Sequence, residues 1–165
     1  MTPDFIGRSH DFDFLVGGTW QVANRCLKQR LAGCDEWLEF DHTCRASVLM
    51  DGQMSIDENL FASRGFSGVS LRSLDVAAQR WAIYWINSRD GVVSPPVHGG
   101  WHGDRGEFVG VDEDAGRPVR VRFLWERLGP DDARWSQDFA LVGDQGSADG
   151  PWETNWIMTM RRLRE

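Results

Sequence analysis

The segment from Arg80 to Ser88, reading Arg-Trp-Ala-Ile-Tyr-Trp-Ile-Asn-Ser, alternates so regularly that it restricts the folds open to the chain. At the two-residue period of a β-strand, Trp81, Ile83, Trp85 and Asn87 share one face, and Ala82, Tyr84, Ile86 and Ser88 share the other. Both faces are rich in aromatic and β-branched side chains. That pattern suits a barrel wall with a lumen on one side and partial cover on the other, or a strand of a two-layer sheet.

Similar stretches recur along the chain with turn residues between them. Strands are expected at about residues 19–29, 36–49, 54–62, 68–74, 80–88, 97–102, 107–111, 118–127, 134–142 and 151–160. Ala32-Gly33, Asp51-Gly52, Arg64-Gly65 and Gly129-Pro130 punctuate them, and residues 11–16 read as a helical turn or an extended lead-in. If Ala32-Gly33 centres the first hairpin, Cys26 falls opposite Glu39 and Cys44 opposite Gln21. The last segment is ambiguous, because Trp156, Ile157, Met160 and Leu163 also sit at helical spacing; a strand to about Met160 is the expectation. About nine or ten short strands and no convincing helix define an all-β chain. The expected architecture is an up-and-down antiparallel barrel spanning residues 1–165 as a single domain, with an immunoglobulin-like sandwich as its rival.

A net charge of −7 argues against nucleic acid or an anionic membrane as partner, since both recruit clustered Lys and Arg. The N-terminal residues lack a signal-peptide core, and no stretch approaches the roughly 20 apolar residues of a membrane span. A soluble cytoplasmic protein is expected. Cys26, Cys34 and Cys44 are odd in number and do not come opposite one another in the expected hairpin, so free thiols are expected rather than a disulfide framework.

Gly18-Thr19-Trp20, at the start of the first strand, resembles the glycine-any-tryptophan signature of the calycin superfamily, which contains lipocalins, fatty-acid-binding proteins and nitrobindins. Asp57-Glu-Asn59, Ile83-Tyr-Trp85, Ser88-Arg89, Val121-Arg-Phe123, Ala133-Arg-Trp135 and the run Trp152 to Met158 resemble, in that order and over nearly the whole chain, a bacterial lipocalin-like family of unknown function. The resemblance implies a lipocalin-like barrel with Trp20 plugging one end. Nitrobindins hold haem through a histidine near the C-terminus. Here no histidine follows His102, and Trp20 is followed by Gln21-Val22-Ala23 rather than a glycine-rich continuation, so no cofactor is expected.

Nine tryptophans either build a core or line a site for a flat ligand, because each brings a large apolar area and one N–H that needs a partner. On inward-facing alternation, Trp85, Asn87, Trp125, Gln137 and Trp156 are candidate ligand contacts. Asn155 is set aside as facing the other way from Trp156. His42 lies on an apolar face between Phe40 and Cys44; it is a core histidine, a ligand contact or a general base. Asp57, Glu58 and Asn59 in succession must send one carboxylate inward, either as an acid-base group or as a partner for Arg72 on the next strand. His98 and His102 have ligand-like spacing without a third donor, so no metal is expected.

The expected function is binding of a small, mainly apolar or aromatic molecule in the lumen. The alternative is a cofactor-free enzyme (an isomerase, cyclase or dehydratase) using His42, Asp57 or Glu58 as base in the same cavity. A third reading is a packed scaffold forming a homodimer through Tyr84 and Ile86.

Overall fold

The computed structural model describes residues 3–145 and 147–164. Its strands are β1 (Thr19–Leu27), β2 (Trp37–Leu49), β3 (Met54–Phe61), β4 (Phe66–Asp75), β5 (Arg80–Asn87), β6 (Val97–His102), β7 (Arg105–Asp114), β8 (Arg117–Gly129), β9 (Asp132–Leu141) and β10 (Glu153–Leu163). Each pairs antiparallel with its neighbours in sequence, and β1 closes on β10. The fold is therefore a closed up-and-down barrel and not a sandwich. Closure leaves no free sheet edge, which a two-layer sheet of the same strands would have to protect. Single 3₁₀ turns lie at Asp13–Leu15 and Ala62–Arg64. Among the described residues, no helix is long and apolar enough to cross a membrane.

The β1–β2 register differs from the expected one by a residue: Cys26 pairs with Leu38, and Trp20 with Cys44. The connection is centred on Ala32, flanked by left-handed Leu31 and Gly33, rather than between Ala32 and Gly33. Cys26, Cys34 and Cys44 are free thiols. β10 continues as a strand to Leu163, because Arg161 to Leu163 still pair with β1.

The two ends of the lumen are built differently. At one end the N-terminal segment crosses the barrel as a strap. Ile6 and Trp101 exchange backbone hydrogen bonds at 3.0 Å each way, His10 N donates to Gly52 O, and Arg162 donates to the carbonyls of Phe14, Val16 and Gly17. The strap passes so close to β6 that a Cβ on Gly100 would lie 2.3 Å from the Ile6 carbonyl carbon. Beneath it Phe12, Leu15, Trp20, Trp81 and Phe108 are fully buried. Phe12 meets Trp81 edge-on at 5.0 Å, a favoured arrangement for aromatic quadrupoles. Trp20 donates its indole N–H to Leu15 O at 2.9 Å and Trp81 donates to Asp11 Oδ2 at 2.9 Å.

At the other end the wall has a short seam. β5 and β6 pair over just Trp81, Ala82 and Ile83 with Gly99, His98 and Val97. Past that point β5 continues without β6, and the 88–96 connection takes its place. There Ser94 accepts Trp85 N through its Oγ and returns a bond from its own N to Trp85 O, each at 2.9 Å.

Candidate functional site

Between the strap and the seam the lumen is not filled. A cavity of about 140 Å³ remains, comparable with the roughly 150 Å³ in which an engineered apolar cavity holds benzene. Trp85, Trp125, Trp135 and Trp156 wall it, with Phe123 and Phe139 between them. Ser94, Pro95, Val111 and Asp112 also line it, and Pro95 and Val111 are exposed, so the cavity reaches the surface beside the seam. Trp85 lies flat across β4 because Gly68 faces it: a Cβ there would sit 2.2 Å from the indole ring. Its wall therefore depends on the missing side chain of one residue.

One side of the lumen carries an unbroken hydrogen-bond chain across β10, β1, β2, β3 and β4. Trp156 Nε1 donates to Asn24 Oδ1 at 2.8 Å, and Asn24 Nδ2 meets His42 Nδ1 at 2.7 Å. His42 Nε2 meets Asn59 Oδ1 at 2.8 Å, and Asn59 Nδ2 donates to Asp57 Oδ1 at 2.6 Å. Arg72 completes it, donating from Nη2 to Asp57 Oδ2 at 2.5 Å and from Nη1 to Ser55 Oγ at 3.0 Å. Asn24, His42, Ser55, Asp57, Asn59 and Arg72 are all buried.

Both ends of this chain impose a direction. An indole can only donate, so Asn24 turns its oxygen to Trp156 and its amide nitrogen to His42. A carboxylate held by arginine can only accept, so Asn59 turns its nitrogen to Asp57 and its oxygen to His42. His42 is thereby the neutral tautomer, accepting at Nδ1 and donating at Nε2. Burial, which disfavours the charged ring, lowers its pKa from the usual value, against smaller opposing effects from the Asn59 hydrogen bond and the Asp57 and Asp41 charges. The ring also stacks on Phe61 with centroids 4.1 Å apart.

Next to the Trp156 end of this chain, β10 carries a bulge between Thr154 and Trp156. A bulge places an extra residue on one strand, so the inward set shifts from odd to even numbers, and Asn155 and Trp156 both turn to the interior. Asn155 is buried, a departure from the outward position that strict alternation assigns it. Its Oδ1 accepts from Gln137 Nε2 at 2.8 Å, while its own Nδ2 is buried with no partner among the described residues.

Trp85, Trp125, Gln137, Trp156 and Asp57 thus lie together on the cavity. His42 lies behind the lining, within the chain. Asn87 sits beyond the lining at the β5 terminus, where its Oδ1 accepts Arg89 N at 2.9 Å. Glu58 is exposed on the outer face, opposite Arg45. His98 and His102 fall on the outer face of β6, and among the described residues no three His, Cys, Asp or Glu side chains gather where a metal could bind. Tyr84 and Ile86 are half-buried, and Ile86 is bridged to Val93 of the 88–96 connection. Asn24 was not singled out from the sequence, although a polar residue on the apolar face of β1 is a signal that could have found it; Asn155 left no signal, because a bulge breaks the period on which alternation rests.

The lining offers aromatic faces to a flat ring, and Asp57 is not free to act as a base. Its carboxylate is bound by Arg72, Asn59 and the backbone N–H of Ser70. Cys44 also lines the cavity; burial raises its thiol pKa, which keeps it protonated and apolar in character. A scan against protein-family models matched none, and a search of the curated proteins found no match.

Proposed function

We propose that this chain is a lipocalin-like binding protein that holds one small, flat, mainly apolar molecule in its lumen. The observation that carries the reading is the 140 Å³ cavity walled by Trp85, Trp125, Trp135 and Trp156. Natural cores are packed to crystal-like density, so an unfilled space of this size is costly unless something occupies it. Gly18-Thr19-Trp20, with Trp20 buried under the strap at the head of β1, supports the calycin kinship. The free thiols support a reducing compartment such as the cytoplasm.

The test is native mass spectrometry of the protein as purified, followed by a melting-temperature screen against small aromatics. Binding at 100 times Kd adds about 2.7 kcal/mol, an easily read rise in Tm. A co-purifying compound, or a rise with quenched tryptophan emission, supports the reading. A broad panel that moves neither quantity removes it.

A further inference from the structure

The polar groups facing the cavity divide into satisfied and unsatisfied, and the unsatisfied ones describe what would fit. Asp57, Asn59 and Arg72 bond one another and Ser55, Ser70 and His42, with only the Arg72 Nε–H left buried without a partner among the described residues. Trp156 spends its N–H on Asn24. Among the described residues, the indole N–H groups of Trp85, Trp125 and Trp135 have no hydrogen-bond partner, nor does Gln137 Oε1, although all four residues line the cavity. Gln137 is ringed by aromatics: Phe123 and Trp156 are its cross-strand partners, and Trp135 and Phe139 precede and follow it on the same face of β9.

Resting on the binding function proposed above, we infer that Gln137 is its specificity-determining contact and that the ligand class is an uncharged hydroxylated aromatic. The β10 bulge brings Asn155 inward to hold Gln137 by one amide hydrogen bond. In the observed orientation Gln137 offers an acceptor to the cavity and leaves Asn155 Nδ2 orphaned. Turning both amides over lets Asn155 Nδ2 donate to Gln137 Oε1, and Gln137 then offers a donor. A hydroxyl both donates and accepts, so it matches either orientation, and in the observed one, where it donates to Gln137 Oε1, its oxygen can accept an indole N–H. A ketone or ether matches one orientation, and a hydrocarbon neither. A carboxylate is disfavoured: Arg72 is already neutralised by Asp57, which leaves Asp112 at the mouth as the unpaired charge of the lining.

The experiment is calorimetric titration with four probes of similar shape: p-cresol, 4-methylanisole, toluene and p-toluate. In the unchanged protein p-cresol binds about tenfold more tightly than toluene, as expected for two modest net hydrogen bonds, with 4-methylanisole between them and p-toluate weakest. In Gln137→Leu the p-cresol advantage shrinks to about threefold or less while toluene still binds. Equal binding of p-cresol and toluene, tightest binding by p-toluate, or an undiminished p-cresol advantage in Gln137→Leu overturns this inference while leaving lumen binding intact. If none of the four binds, both fall. The series on the unchanged protein decides the point even if the variant does not fold.

Discussion

The strap end and the cavity half of the lumen use the same side chain to opposite effect. Under the strap, Trp20 and Trp81 are fully buried, and each gives its N–H to a protein acceptor. Around the cavity, Trp85, Trp125 and Trp135 carry the same indole with no acceptor supplied. A tryptophan-rich interior is therefore not a site in itself. Trp101, also at the strap end, is the exception: its N–H is buried with no partner among the described residues, and its ring is covered by Phe12 and the Arg127 guanidinium. What separates plug from pocket is therefore that the strap end closes over its indoles with protein, while the indoles of Trp85, Trp125 and Trp135 are left facing open space. The polar chain from Trp156 to Arg72 sharpens the contrast, since it lies against the cavity yet each member bonds the next, with only Arg72 Nε unpartnered among the described residues, and so behaves as structure.

If that chain is structural, breaking it is the costliest single change. Asp57→Ala or Arg72→Met leaves a buried charge unpaired and lowers unfolding free energy by about 3–5 kcal/mol, measured by urea denaturation. The double variant loses less than the sum of the two. If the double loses as much as both singles together, the pair is not coupled and the polar wall is misread.

A smaller effect compares the two kinds of tryptophan directly. Trp20→Phe strands the carbonyl of Leu15, whereas Trp135→Phe strands nothing, so the first costs about 1–3 kcal/mol more than the second. Equal losses in matched denaturation curves would erase the distinction.

The smallest effect is in pH. Because folding lowers the His42 pKa, the unfolded chain takes up the proton first as pH falls through about 6.5. Stability from this group is complete above that value and is lost as pH falls toward the folded-state pKa, by at most about 1.4 kcal/mol per pH unit. Burial and the Arg80 charge lower the His98 pKa too and add to the same slope, so the difference between the parent and His42→Gln isolates His42. The variant should show the flatter curve as pH falls below about 6.5; parallel curves would mean that His42 is not held neutral.

The barrel was legible because its strands obey one period and one connection rule. Trp85, Trp125, Gln137 and Trp156 came to the cavity because each sits on the inward parity of its strand. The β1–β2 register was also recoverable from that parity: cross-strand partners share a face, so inward Cys44 belongs opposite inward Trp20 and not outward Gln21. Asn87 obeys the parity as well, but β5 outruns β6 there, and its side chain caps a turn instead. Parity says nothing of where pairing ends. Nor does it foresee the β10 bulge, which is why Asn155, and with it the support of Gln137, was hidden. The commitment of His42 to Asn24 and Asn59 depends on partners from two other strands, and alternation within one strand carries no information about them.

The central claim, that the unpartnered indoles of Trp85, Trp125 and Trp135 surround a binding space while the indoles packed under the strap are scaffold, is tested most directly by following the tryptophan Nε1–H resonances in a ¹⁵N-correlated NMR titration with a small aromatic such as p-cresol. The signals of Trp85, Trp125 and Trp135 should move in a saturable manner while those of Trp20 and Trp81 stay in place. Shifts concentrated at Trp20 and Trp81, or no saturable shift at any indole, would contradict the account.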